Sequence, residues 1–299
     1  MTSLSLSSSI SVARSRVADY VELTKPRLTA LALFAVGVGF VLGAPGGAVD
    51  VRRLLVTLVG AALIGGGGQA LNQWWEREAD ALMSRTRTRP LPSGRLQPAQ
   101  ALRFGLALSA VGLGLLQAVH PLAALIGALT LLSYVAVYTP LKRVTTLCTV
   151  VGAVPGALPP VLGWAAAAGY LSLEAWVVCA ILFLWQLPHF LAIAWLHREE
   201  YARAGFRMLP VVDPDGGSTA RQLVCYGLAL LIASLMPAIL GMAGPVYFVG
   251  ALLAGAWFFG TAVAAAWRRS CAVASKLFMA SIGYLPIVLS LLALEAAWR

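Results

Sequence analysis

The chain has 299 residues, 60% hydrophobic and 11% charged, with a mean hydropathy of +0.82. Soluble domains carry about a quarter charged residues, so this composition excludes a soluble globular enzyme, a disordered chain and a disulfide scaffold, and leaves a helical integral membrane protein. The apolar runs are long and continuous, not alternating as in a membrane β-barrel. The net charge of +10 reads as the basic excess of cytoplasmic loops and not as a nucleic-acid surface.

Residues 1–27 are Ser-containing with Arg14 and Arg16 and lack a continuous apolar run, which is not the pattern of a secretory signal. They are expected to form a cytoplasmic tail. Their likeness to a mitochondrial presequence is loose, and a bacterial plasma membrane is the preferred location over a mitochondrial inner membrane. Nine apolar segments follow, at about 28–44, 54–73, 100–119, 121–139, 148–166, 173–194, 222–242, 245–266 and 277–296. Most have the roughly 20 residues needed to cross a hydrocarbon core. The expected fold is therefore all-α, a single nine-helix bundle over 28–299.

With the N-terminus inside, 19 Lys and Arg residues fall in inner regions, and only Arg52, Arg53 and Arg299 fall outside. That asymmetry supports both the segment count and the orientation. The two longest connections, after the second and sixth segments, both lie on the inner face and hold most of the interhelical acids. Gly65 to Gly68 and the Gly152–Gly156 pair are expected to allow close helix approach. Pro155, Pro159, Pro160, Pro188, Pro237 and Pro286 are expected to kink their helices. The four cysteines show no paired spacing and read as buried free thiols.

The end of the second segment places Asn72, Glu76 and Asp80 at i, i+4 and i+8. Each step of four residues advances only about 40° beyond a full helical turn, so the three side chains share one face. Stacked carboxylates repel unless a cation lies among them, and an all-oxygen set with few carboxylates suits Mg²⁺ that also reaches substrate phosphates. The following Arg85-Thr-Arg-Thr-Arg89 run has the cation density of a diphosphate clamp. After the sixth segment, Glu199 and Glu200 with Arg203 repeat the pattern. Lys142 and Arg143 add a third basic element on the same face. His189 lies about two turns inside the sixth segment, where a titratable side chain is a functional candidate. His120 and His197 are weaker candidates.

Thr24-Lys-Pro-Arg27, Asn72 to Asp80 running into Arg85-Thr-Arg-Thr-Arg89-Pro-Leu91, Tyr138-Thr-Pro-Leu-Lys-Arg143, Trp185-Gln-Leu-Pro-His-Phe190 and Met208-Leu-Pro210 occur in order along the chain. Together they resemble the UbiA superfamily of intramembrane aromatic prenyltransferases. The Arg-Thr-Arg-x-Arg-Pro, Trp-Gln-x-Pro-His-Phe and Met-Leu-Pro runs resemble its haem-modifying branch. The chain departs from that pattern at Glu76, where the family usually has Asp, at Glu199-Glu200, where an Asp is common, and at Cys148, where Asn is expected.

The resemblance implies transfer of the farnesyl group of farnesyl diphosphate to the 2-vinyl group of haem B, giving haem O. It implies Mg²⁺ held by Asn72, Glu76, Asp80, Glu199 and Glu200. The diphosphate is expected at Arg77, Arg85, Arg89, Lys142, Arg143 and Arg203. His189 is the candidate for haem, and haem A synthase is a candidate partner. The alternative acceptors are a quinone precursor or a chlorophyll-type alcohol. A transporter would bring charge to the bilayer midplane, and a non-catalytic assembly factor would not need a metal-diphosphate site.

Overall fold

The computed structural model describes residues 16–297; Arg14, Arg299 and the rest of 1–15 lie outside that range. Among the described residues, nine helices are long and apolar enough to cross a membrane, as the sequence predicts. We label them α2 (Pro26–Gly43), α3 (Val51–Ala81), α4 (Pro98–Val119), α5 (Pro121–Leu141), α6 (Cys148–Ala168), α7 (Leu173–Leu196), α8 (Gly217–Ile239), α9 (Pro245–Arg268) and α10 (Cys271–Ala297). A short helix, α1 (Arg16–Leu23), precedes them. Proline opens α2, α4, α5 and α9, where its missing N–H leaves no helical bond unmade.

The expected tail is corrected over its second half. Residues 16–23 form a helix whose Asp19 and Leu23 are buried. Leu23 joins Ala70, Leu91, Leu96 and Ala101 in a small core, and the Tyr20 ring meets Phe104 at 4.8 Å. The inner loops are also shorter than expected. Helix α3 runs through Ala81, carrying Asn72, Glu76 and Asp80 on one continuous helix. The second loop is partly folded into short helices at Arg198–Arg203 and Leu209–Val212.

Close helix approach occurs, but not wholly where the glycine spacing suggests. Helices α3 and α4 interlock through Gly60 and Gly67 against Gly112 and Gly105. Gly152 and Gly156 instead make room for side chains, the Tyr138 ring and the Gln186 amide. The tightest crossing joins α2 to the second half of α6, where α6 is broken at Leu158 by the Pro159-Pro160 pair. A Cβ on Gly39 would come within 2.0 Å of the Pro160 carbonyl oxygen, and one on Gly163 within 1.9 Å of the Val36 oxygen. Because the obstacle is backbone, Gly163→Ala must push two helices apart. The expected loss is about 3 kcal/mol of stability, read as a lowered unfolding midpoint in detergent. Gly114→Ala, with nothing within 4 Å of the added Cβ, is the matched control and should leave the midpoint unchanged.

Two cores flank the centre of the bundle. One gathers α7 to α10 around Tyr247, Phe258 and Tyr284, and the other gathers α2 to α6 around Phe40, Leu116 and Leu162. Between them lies the cavity that carries the candidate site.

Candidate active site

A cavity of about 470 Å³ opens beside the C-terminal end of α3. Asn72, Glu76 and Asp80 line it together with Lys25, Arg85, Arg89 and Lys142. Deeper in the bundle the wall becomes apolar, with Leu31, Val36, Ala61, Ile64, Leu131 and Leu162, and Gly65 and Gly68 continue the face of α3. One face of a single helix thus passes from carboxylates to a surface without side chains. The cavity has a charged mouth and an oily depth.

The mouth is organised by ion pairs. Glu76 is 7% exposed and its Oε1 lies 2.7 Å from Lys142 Nζ, while Asp80 is 1% exposed and its Oδ2 lies 2.7 Å from Arg89 Nη1. Thr86 donates its hydroxyl to the Asp80 backbone oxygen at 2.8 Å, folding the cationic loop back over the helix end. Asn72 donates its Nδ2 to Thr139 Oγ1 at 3.1 Å, which leaves its amide oxygen as the acceptor. The Lys142 ammonium sits 4.5 Å from the Tyr138 ring centre. Burial opposes its charge, but Tyr138 and the Glu76 carboxylate outweigh that penalty and hold its pKa above the usual lysine value. The Tyr134 and Tyr138 rings stack at 5.8 Å on the same wall.

The loop after α7 meets the loop after α3 but contributes differently than the sequence suggests. The Ser84 hydroxyl donates to Glu200 Oε1, and the Arg207 N–H donates to the Lys142 carbonyl at 2.7 Å. The Ser84 hydrogen bond, helped by Arg85 and His197, holds the Glu200 carboxyl below the usual range. Glu199 is exposed, and neither it nor Glu200 lines the cavity. Tyr201, Phe206 and Met208 do line it, so this loop supplies apolar and aromatic wall. Arg77 turns away to the Trp74 carbonyl and Glu78, Arg143 is exposed, and Arg203 lies 4.0 Å from Glu200. None of these three arginines lines the cavity. Cys148 is buried with its Sγ 3.6 Å from Met208 Sδ.

His189 is also outside the cavity wall, although Trp185, Gln186 and Phe190 belong to it. Its Nδ1 lies 2.7 Å from Ser281 Oγ, and Ser281 donates its own proton to the Phe278 carbonyl at 2.5 Å. With Ser281 donating to that carbonyl, the tautomer that completes the chain has the proton on Nδ1 and the lone pair on Nε2. The ring stacks on Trp185 at 5.0 Å.

Lys25, part of the Thr24-Lys-Pro-Arg27 motif but not among the expected diphosphate residues, also lines the wall. It adopts φ 44° and ψ 63° before Pro26, a left-handed conformation costing about 1–2 kcal/mol in a residue with a side chain. The bend joins α1 to α2 and places the ammonium in the cavity wall. Burial, with Arg89 and Lys142 as neighbouring cations, lowers its pKa to about 7 against the opposing pull of Glu76 and Asp80. Its charge is therefore present below about pH 7 and lost above it. The expected result is that the KM for an anionic diphosphate rises as pH climbs through that value. Lys25→Arg, whose guanidinium stays charged, should flatten the profile; an unchanged pH profile in that variant contradicts the role.

Two carboxylates and an amide oxygen on one helix face suit Mg²⁺, which keeps waters and completes its shell with substrate phosphate oxygens. The described residues contain no group of three or more His, Cys, Asp or Glu placed to hold a metal by themselves. Asn72, Glu76 and Asp80 line one wall of the cavity with both carboxylates paired to cations, so any Mg²⁺ held there would need phosphate oxygens to complete its shell.

Residues 31–283 match the UbiA prenyltransferase family, and the chain belongs to it. It is 54% identical to the protoheme IX farnesyltransferase of Solibacter usitatus, over 93% of this chain and 98% of the relative. Identity to the protoheme IX farnesyltransferase of Opitutus terrae is 41%, over 94% and 95%. Among solved structures, a digeranylgeranylglyceryl phosphate synthase superposes with a TM-score of 0.80 at 18% identity, covering 95% of this chain and 99% of that one. A UbiA homologue from Archaeoglobus fulgidus bound to GPP and Mg²⁺ gives 0.65 at 16%, covering 92% and 99%. These last two likenesses concern the fold.

Proposed function

We propose that this protein farnesylates haem B, taking the group from farnesyl diphosphate and delivering it to the 2-vinyl carbon with addition of water, to give haem O. The observation that carries the reading is one cavity that combines a cationic and acidic mouth with an apolar depth, in a chain whose relatives carry the name of that reaction. Breaking the allylic C–O bond leaves extra negative charge on the diphosphate. Lys25, Arg85, Arg89 and Lys142 are positioned to neutralise it, and preorganised charge in a water-poor site is the strongest lever available. Mg²⁺, when bound at Asn72, Glu76 and Asp80, supplies further charge to the leaving group. The stacked faces of Tyr134 and Tyr138 can stabilise the allylic cation, and the oily depth keeps water from it until the vinyl carbon attacks.

The other residues expected at the site take lesser places in this reading. Glu200 braces Ser84 beside Arg85, and Glu199, Arg77, Arg143 and Arg203 remain outside the diphosphate contacts. His189 is proposed as the haem contact because Nε2 is free. His189→Ala should then shift the Soret band of haem bound to the purified protein, and an unchanged band and affinity reject the contact. The inner-face excess of Lys and Arg supports a bacterial plasma membrane with the N-terminus in the cytoplasm. Transfer of the product to haem A synthase fits a lipid-soluble haem, and remains part of the proposal.

A different acceptor, such as a quinone-ring precursor, would use the same mouth. Membranes containing the protein, given labelled farnesyl diphosphate and either haem B or 4-hydroxybenzoate, separate the two. Label in haem supports the reading, and label in the benzoate alone overturns it.

A further inference from the structure

Besides Lys142, which follows α5, the cationic mouth is assembled from two chain segments far apart in sequence. Lys25 follows α1, and Arg85 and Arg89 belong to the loop after α3. One side chain outside the cavity wall joins these segments. Arg95 Nε donates to Asp19 Oδ1 at 2.7 Å and Nη2 to Glu22 Oε2 at 3.0 Å, both on α1. Its Nη1 donates to the Thr88 carbonyl at 2.7 Å, one residue before Arg89. Asp19 is 4% exposed, and a carboxylate so placed holds its position only while a cation meets it. Leu23, at the end of α1, is fixed separately by the Gln73 amide, which donates to its carbonyl at 2.8 Å.

We propose that Arg95 is a positioning residue for the diphosphate: by clasping α1 to the loop it fixes the separation of Lys25 from Arg89. The planar guanidinium is suited to this because it presents donors in several directions at once, whereas a lysine ammonium is a point charge on a flexible stem. The clasp reaches only the α1 and loop segments that carry Lys25 and Arg89, so its effect is expected on the diphosphate substrate. This inference rests on the reading of the cavity mouth as the diphosphate site.

Steady-state kinetics of the full-length protein in membranes, with farnesyl diphosphate and haem B varied separately, test it. Arg95→Ala should raise the KM for farnesyl diphosphate about tenfold or more, since small misplacements of charged groups are costly. The kcat and the KM for haem B should stay near wild type. Arg95→Lys should fall between, and Arg103→Ala, an exposed arginine bonded to its own helix at the Ala99 carbonyl, should change nothing. If Arg95→Ala does not fold, the Arg95→Lys split between the two KM values decides. An unmoved KM for farnesyl diphosphate, or an equal rise for both substrates with a lowered unfolding midpoint, overturns the clasp. Arg89→Ala distinguishes the underlying reading: if it too leaves farnesyl diphosphate unaffected, the diphosphate assignment of the mouth fails, and the clasp's function with it.

Discussion

Asp80→Ala should reduce farnesyl transfer by about two to three orders of magnitude, the loss typical when a charge-stabilising group is removed from a reacting centre. Asp80 is almost fully buried, lines the cavity and is paired with Arg89 at 2.7 Å. Its removal takes away a candidate metal oxygen and frees the arginine that faces the diphosphate. The helix should survive, because alanine favours it and the Thr86 bond is to the Asp80 backbone, not to its side chain. Membrane insertion and the unfolding midpoint are measured beside turnover. A variant that inserts, folds and transfers at the wild-type rate would remove Asp80 from the site.

Lys142→Met should be nearly as damaging to turnover and more damaging to the fold. Methionine keeps much of the stem but loses the ammonium that lies 2.7 Å from Glu76 and over the Tyr138 ring. The Glu76 carboxylate is then left in a largely buried wall without its cation, at a cost of roughly 3 kcal/mol. Adding Glu76→Gln to Lys142→Met should recover stability while leaving transfer low. Recovery of both together would mean that the pair is structural. No recovery of stability would mean that the pair does not hold this part of the mouth.

The membrane architecture was legible because few charges interrupt the apolar runs, and the solvent imposes a span length. The cavity-lining face of α3 was legible for the same kind of reason: Asn72, Glu76 and Asp80 share a helical period with the glycines below them. What joins that face was legible only in part. Lys142 was expected on the same side, but its pairing with Glu76 comes from the packing of α5 against α3. Lys25 enters the mouth through a left-handed bend that no spacing rule signals, although a basic residue before proline at the start of the first span was a usable clue. Glu199 and Glu200 lie away from the cavity wall, with Glu200 held by Ser84 and Glu199 exposed. Adjacent acids opening a short helix look like ligands, yet they sit at a helix N-terminus, where acids are favoured by the helix dipole alone. The bulk of α1 was missed because eight residues with charge on one side resemble a tail until Leu23 and Asp19 find their partners.

The most direct measurement is a haem extract of membranes with and without this protein, resolved by chromatography and mass spectrometry after supply of haem B and farnesyl diphosphate. The expected product is a haem heavier by one farnesyl group and one hydroxyl, present only with the active chain and absent with Asp80→Ala. Haem B recovered unchanged, from membranes in which the protein is folded and farnesyl diphosphate is not limiting, would contradict it.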